Sequence, residues 1–215
     1  MKFWSNSFED HGLMPEKYAF AVIDPASHIA LSTNHNPHLA WTDLPAGTQS
    51  LSIICHDPDA PSIGEDVNQA GRIVAADLPR EHFYHWILID LLPGIHSIVE
   101  GEYSDTITPR GKSGPAVANG ARQGLNDYTG WFADDEKMRG NYFGYDGPCP
   151  PWNDAIPHRY VFTLYALKVS HLKVHGNFNA EQVRAALVGN ILAEASITGL
   201  YTLNPAVARS LHKAD

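Results

Sequence analysis

The sequence predicts a mainly β protein, a β-sandwich with a few peripheral helices. Three segments have the alternating or β-branched pattern of strands, and only one has a clear helical repeat. The strand segments are Ser50–Cys55, Phe83–Asp90 and Tyr160–Leu167, and the helical one is Ala180–Ala195. Apolar residues make up 44% of the chain, which is enough for a core. A one-domain sandwich can reach this length, so we expect a single domain over residues 1–215.

The first strand, Ser50–Cys55, alternates and becomes β-branched towards its end. It is followed by Asp-Pro-Asp-Ala-Pro at 57–61. Because proline lacks an amide donor and has a fixed φ, we expect the strand to stop there, with Asp57 at its end. The residues that would share the face of Asp57 are Leu51, Ile53 and Cys55.

The second strand would place alternate residues on opposite faces. One predicted face carries Phe83, His85, Ile87 and Ile89, and the other carries Tyr84, Trp86 and Leu88. The third strand, Tyr160–Leu167, is apolar enough to be central and buried on both faces. His158 lies just before it.

The predicted helix begins after Asn179, which can cap it, with Gln182 completing a capping-box pattern. Its apolar stripe consists of Val183, Leu187 and Ile191. We expect a short final strand at Leu200–Leu203 after it.

Two long segments, 62–81 and 94–144, read as loops, the second broken by many glycines and prolines. A structureless loop of the second one's length is unusual in a compact domain. We therefore expect 94–144 to fold against the body and to wall a pocket.

The candidate site consists of Asp57, His85 and His158, which all lie at predicted strand ends bordered by Pro and Gly. One acid and two imidazoles without a nucleophile favour binding of a small anion. Each histidine can donate to an oxyanion, and Asp57 can orient one imidazole. An ionised Asp57 would need screening by an imidazolium. Each residue alone could also be structural. Asp57 could form an Asx-turn, His85 could be a hydrogen-bonded core residue, and His158 could hold a loop in place.

Four motifs in order resemble the phosphatidylethanolamine-binding protein family, which includes the Raf kinase inhibitor proteins, and most closely its bacterial and archaeal branch. They are DPDAP (Asp57–Pro61), HW (His85-Trp86), GPCPP (Gly147–Pro151) and HRYVFTLYAL (His158–Leu167). The resemblance implies a shallow pocket at the sheet edge for phosphate-like groups, and leaves regulation of a protein partner open. It also suggests a cis bond at Ala60–Pro61.

The ligand-binding residues that this resemblance implies are Asp57, Pro61, His85, Gly147, Pro148 and His158. The neighbours expected to be structural are Asp59, Trp86 and Arg159. We expect Asp59 and Arg159 to pair with each other.

Two enzymatic alternatives use the same pocket. In a cysteine hydrolase, Cys55 would act beside His56 or His85, but a strand cysteine on a core face is usually inert. In a metal-dependent hydrolase, Asp57, His85 and His158 would form an open site. His82 would face away from His85 in a strand and could not share that metal. The sequence indicates no cofactor.

The net charge of −9 argues against nucleic acid and against an anionic membrane surface as partners. No apolar run is long enough to span a bilayer, and the first residues lack the pattern of a signal peptide. The two cysteines do not make a disulfide framework. These features favour a cytoplasmic protein.

Aromatic residues in the segment 94–144 favour a homodimer, because interfaces concentrate aromatics at their centres and two-fold pairing is the commonest oligomer. They are Tyr128, Trp131, Phe132, Tyr142 and Phe143. The alternative is that these side chains anchor the segment to its own core.

Overall fold

The computed structural model describes residues 1–211 and confirms a mainly β fold, with 34% strand and 12% helix. The strands are β1 (Lys2–Trp4), β2 (Ala21–Asp24), β3 (His28–Leu31), β4 (Leu39–Thr42), β5 (Ser50–Pro61), β6 (Arg80–Leu91), β7 (Ser97–Ile98), β8 (Arg122–Gln123), β9 (His158–Leu167) and β10 (Ile191–Tyr201). The α-helices are α1 (Tyr128–Trp131), α2 (Ala180–Leu187) and α3 (Pro205–Leu211).

The main sheet is antiparallel with the order β10-β9-β5-β6-β8. A second sheet has the order β1-β4-β7, and β2 and β3 form a hairpin. Side chains from both sheets, such as Trp41 of β4 and Phe162 of β9, share one buried core. The other face of the main sheet packs under α2, where Ile54 and Ile87 contact Val183. This two-sheet arrangement is the predicted sandwich, and β9 lies in its interior as expected.

The first strand runs past the point where the prolines were expected to end it. β5 continues to Pro61, and Ala60 and Pro61 still pair with β6. A register shift between Asp57 and Ala60 accommodates the proline-rich stretch, since bulges tolerate a missing donor. Asp57 therefore lies inside a strand. Among residues 1–211 the cis peptide is Gly114–Pro115, so the expected cis bond before Pro61 is wrong.

The predicted faces of the second strand hold for Phe83 and His85, which share the cavity side, and are wrong beyond them, because β6 contains a bulge. Cys55 pairs with Trp86 and His56 pairs with Tyr84, which leaves His85 as the extra residue. Alternation is broken there. The residues on the α2 side are Tyr84, Ile87 and Ile89, and those in the shared core include Trp86 and Leu88. His85 turns towards Tyr160 on the core side, 5.1 Å between ring centroids.

The predicted helix is half its expected length. Its capping box is present, since Asn179 and Gln182 exchange side chain–backbone hydrogen bonds. The chain leaves the helix after Leu187, with Gly189 at φ +73° in a conformation that glycine adopts readily. The following residues form β10, which pairs with β9. Tertiary pairing with β9 thus prevails over a helical repeat that continued to Ile191.

The segment 94–144 folds against the body as predicted. Tyr128, Tyr142 and Phe143 are buried, and Phe132 packs on Tyr128 with 5.5 Å between ring centroids. Trp131 is 58% exposed. Four of the five aromatics therefore anchor the segment to its own core, and the homodimer stays a prediction. Within residues 1–211, no helix has the length and apolar character needed to cross a membrane.

Candidate functional site

A cavity of about 310 Å³ opens on the core side of the main sheet. Its floor comes from β5, β6 and β9, and Asp57, His85 and His158 all line it. The two long segments also contribute to the lining, with Val67 from 62–81 and Trp131 from 94–144. The three predicted site residues are thus brought together.

His158 is held between two carboxylates. Its Nδ1 lies 2.7 Å from Asp57 Oδ2 and its Nε2 lies 3.0 Å from Asp154 Oδ2. Burial opposes the charged form, but Asp57 and Asp154 outweigh it and raise the pKa of His158 to about 9. The imidazolium uses both of its N–H groups on these carboxylates, so it has none to offer a ligand. The expectation that His158 donates to an anion is therefore corrected to a screening role.

Two ion pairs lie next to His158. Arg80 donates to both oxygens of Asp154, at 2.6 and 3.1 Å. Despite burial, His158 and Arg80 lower the pKa of Asp154. Arg159 makes the expected two-pronged pair with Asp59, at 2.7 and 2.8 Å. With Asp57, these groups comprise three carboxylates and three cations, so their charges balance, and Glu81 adds a further carboxylate to the cavity lining. Asp57 is screened by an imidazolium, as its position requires.

His85 has the opposite character. Its Nδ1 lies 2.7 Å from the Asp146 carbonyl oxygen, which makes Nδ1 the protonated nitrogen. Burial lowers the pKa of His85 below its ordinary value, against the opposing effect of Asp57. The ring is therefore neutral near pH 7. Its Nε2 has no hydrogen-bond partner among the described residues, and it is the atom left for the cavity.

Tyr160 is a site residue that sequence reasoning missed. It is 1% exposed and lines the cavity. Its hydroxyl makes no hydrogen bond of ordinary length within the described part of the chain, although Asp57 lies close enough to interact with it. Burial and the nearby Asp57 raise the pKa of Tyr160 well above its ordinary value, so the hydroxyl keeps its proton and is a donor. A usable signal was present, because residues two apart on a strand share a face and Tyr160 follows His158 by two.

The turn at Gly147–Pro151 forms a wall in its second half only. The lining includes Cys149, Pro150 and Pro151 of this turn, and also Pro61 of β5. Gly147 and Pro148 are not among the described residues that line it. Gly147 packs so closely on Tyr18 that a Cβ would lie 2.0 Å from its carbonyl oxygen. The Pro148 carbonyl accepts from the backbone of Phe20 at 2.9 Å. These two residues support the wall from behind.

Trp86 also lies behind the site. It is fully buried in the shared core, and its Nε1 donates to Gln123 Oε1 at 2.7 Å. The cavity lining also includes Glu81, Phe83 and Trp131. No Lys or Arg of the described residues lines the cavity, so an anion would have to rely on neutral donors and on proton uptake.

A family model described as phosphatidylethanolamine-binding protein matches residues 4–202. The chain belongs to this family. The fold described above is therefore that of a phosphatidylethanolamine-binding protein, with Asp and His residues buried in it, and the resemblance inferred from four motifs is confirmed.

Relatives within this family span nearly the whole chain. The UPF0098 protein YbhB of Escherichia coli (strain K12) is 27% identical, covering 94% of this chain and 100% of its own length. A UPF0098 protein of Aquifex aeolicus is 30% identical, covering 94% and 88%. The crystal structure of Escherichia coli YbcL, titled a new member of the mammalian PEBP family, has a TM-score of 0.66 at 25% identity, covering 94% and 97%.

The two cysteines of this family member have high thiol pKa values. Burial and Asp57 raise the pKa of Cys55 well above its ordinary value, and burial raises that of Cys149 to about 12. Neither thiol is a thiolate near pH 7. No group of three or more His, Cys, Asp and Glu in residues 1–211 is arranged to hold a metal ion. His82 stacks on His56, 4.7 Å between ring centroids, away from His85 as predicted.

Proposed function

We propose that the cavity binds a small anionic group, a phosphate or a carboxylate, without catalysing a reaction on it. The observation that carries this is the Tyr160 hydroxyl, a buried donor that makes no hydrogen bond of ordinary length and lies near the ring of His85, whose Nε2 is free. Leaving a buried donor unpaired costs about 1–3 kcal/mol, and an anionic oxygen would relieve that cost.

Binding of an anion would be coupled to uptake of a proton. Neutral His85 presents Nε2 as an acceptor, which repels an oxyanion, whereas the imidazolium presents a charged donor. The proton comes from solvent or from the ligand itself. Because the pKa of free His85 is lowered, affinity should strengthen as pH falls through and below the ordinary histidine range.

Calorimetric titration with sulfate tests this. Sulfate stays a dianion across the pH range in which histidine titrates, whereas the charge of phosphate changes there. We expect sulfate affinity to rise as pH falls, with uptake of about one proton per anion bound. His85→Gln should weaken binding and abolish this pH dependence, while His82→Gln, an exposed histidine away from the cavity, should change neither. Affinity independent of pH in the wild type would contradict the proposal.

The hydrolase alternatives receive less support. A cysteine nucleophile would need a thiol with a lowered pKa, and both thiols have raised ones. Both nitrogens of His158 are bonded to carboxylates, so among the described site imidazoles the nitrogen left free is Nε2 of His85. Regulation of a protein partner is compatible with a binding site that has no nucleophile. Once a partner is identified, the test is whether sulfate changes the affinity of this protein for it.

A further inference from the structure

Lys112 and Asp146 form an ion pair behind His85. Lys112 Nζ lies 2.8 Å from Asp146 Oδ1, with the lysine side chain 17% exposed and the carboxylate 1% exposed. Neither residue lines the cavity. Anion binding as proposed above uses neither, although the pair adjoins the one imidazole that can respond to a ligand.

Asp146 is fixed to His85 through the backbone. Its carbonyl oxygen accepts from His85 Nδ1 at 2.7 Å, and its N–H donates to the His85 carbonyl at 3.0 Å. Its side chain accepts from the amides of Asn34 and Asn126, each at 2.8 Å. The carboxylate is thereby held at a fixed position relative to the imidazole.

The charges that face His85 come from three directions. Asp57 on β5 and the His158 imidazolium on β9 act in opposite senses on its pKa. His56 on β5 also interacts with His85 but is neutral near pH 7, because burial lowers the pKa of His56 to about 4. Tyr128 and Tyr160 pack edge-on against the ring and are uncharged near pH 7. The third direction is Asp146, whose negative charge Lys112 offsets.

We propose that Lys112 and Asp146 are positioning residues for His85. The Asp146 carbonyl fixes the tautomer, and the balance of the two side-chain charges sets how readily Nε2 takes up the proton that an anion requires. This rests on the proposed function, because proton uptake by His85 matters only if the cavity binds an anion. Lys112 belongs to the segment 94–144, which would then influence the chemistry of the site as well as its walls.

Three variants test the proposal, because the two single variants should change the pKa of His85 in opposite directions. Lys112→Met leaves the Asp146 carboxylate without its countercharge and should raise the pKa of His85. Asp146→Asn removes the negative charge, keeps the backbone bond and should lower it. In the double variant the pKa of His85 should be close to the wild-type value. At a pH near the His85 midpoint, the ratio of protonated to neutral His85 should be roughly three- to tenfold higher in Lys112→Met and lower by a similar factor in Asp146→Asn.

Nitrogen NMR of histidine-labelled protein measures the His85 titration without any ligand, so this readout is independent of the proposed function. Lys137→Met, which removes an exposed lysine from the same segment, is the control and should leave His85 unchanged. Shifts of the same sign in both single variants, or no shift in Lys112→Met, would overturn the proposal. If Asp146→Asn does not fold, Lys112→Met decides alone. Opposite shifts without any sulfate binding would instead sink the proposed function.

Discussion

The two imidazoles in the cavity, His85 and His158, are nearly equally buried, at 3% and 1% exposure, yet they are in opposite charge states. His158 lies between two carboxylates and is a cation with a pKa of about 9. His85 has a backbone carbonyl as its partner, and burial lowers its pKa. Burial alone therefore does not decide the charge of a histidine; the partners at its two nitrogens do. One imidazole becomes part of the scaffold, and the other stays available to a ligand.

The largest difference between them should appear in stability. His158→Ala leaves Asp57 and Asp154 buried without their shared cation and should cost about 3–5 kcal/mol of unfolding free energy. His85→Ala removes a ring of the same size with one neutral hydrogen bond and should cost about 1–3 kcal/mol. Urea unfolding of both variants near neutral pH measures the two costs. Equal costs would show that His158 is not the charged member.

The free energy of unfolding should also decrease as the pH becomes alkaline, because His158 then loses its proton. Its pKa rises from 6.5 to about 9 on folding, so its contribution is complete below pH 6.5 and is lost as pH rises through 9. The loss is on the order of 3 kcal/mol. Urea unfolding across this range should show the decline in the wild type. In His158→Gln the decline should be absent, and a wild-type profile that is flat there would contradict the assignment.

Removing Asp57 should convert the scaffold imidazole into a second donor. In Asp57→Ala the Nδ1–H of His158 loses its carboxylate and one negative charge leaves the cavity. The variant should be less stable, and sulfate should bind it about tenfold more tightly, a gain of about 1.4 kcal/mol. Added sulfate should therefore raise its unfolding midpoint more than that of the wild type.

A matched control for this variant is Asp59→Asn, which removes a carboxylate from the neighbouring ion pair with Arg159. Sulfate affinity should stay close to the wild-type value there. Weaker binding in Asp57→Ala would mean that Asp57 supports the anion by orienting His158, the other outcome that the sequence left open.

The smallest effect should come from Tyr160→Phe, which removes a single oxygen atom. The hydroxyl has no protein partner in the described structure, so stability should be unchanged or slightly higher. Sulfate affinity should fall roughly three- to tenfold, the loss of one hydrogen bond to an anion. Unchanged affinity, measured by the same calorimetry, would remove Tyr160 from the site.

Much of this arrangement was predictable because it depends on local patterns. Alternation located β5, β6 and β9, and the order of four motifs indicated the family and the three residues Asp57, His85 and His158. Their different roles were not predictable, because they depend on Asp154 and on the Asp146 carbonyl, partners that only the fold brings to the two rings.

The errors have a common cause in pairing between strands. The bulge at His85 inserts one residue opposite β5 and places Trp86 on the same side as His85, and a single strand carries no mark of it. The same holds for β10, whose apolar spacing suited a helix until pairing with β9 selected an extended chain. Period-based reasoning fails where a partner strand, and not the local repeat, sets the direction of a side chain.

The most direct test of the difference between the two histidines is nitrogen NMR of histidine-labelled protein at slightly alkaline pH, with and without sulfate. We expect His158 to be protonated at both nitrogens and insensitive to sulfate. His85 should be neutral with its proton on Nδ1, and its Nε2 signal should move towards the protonated value as sulfate is added. A neutral His158, or a sulfate response confined to His158, would contradict the account.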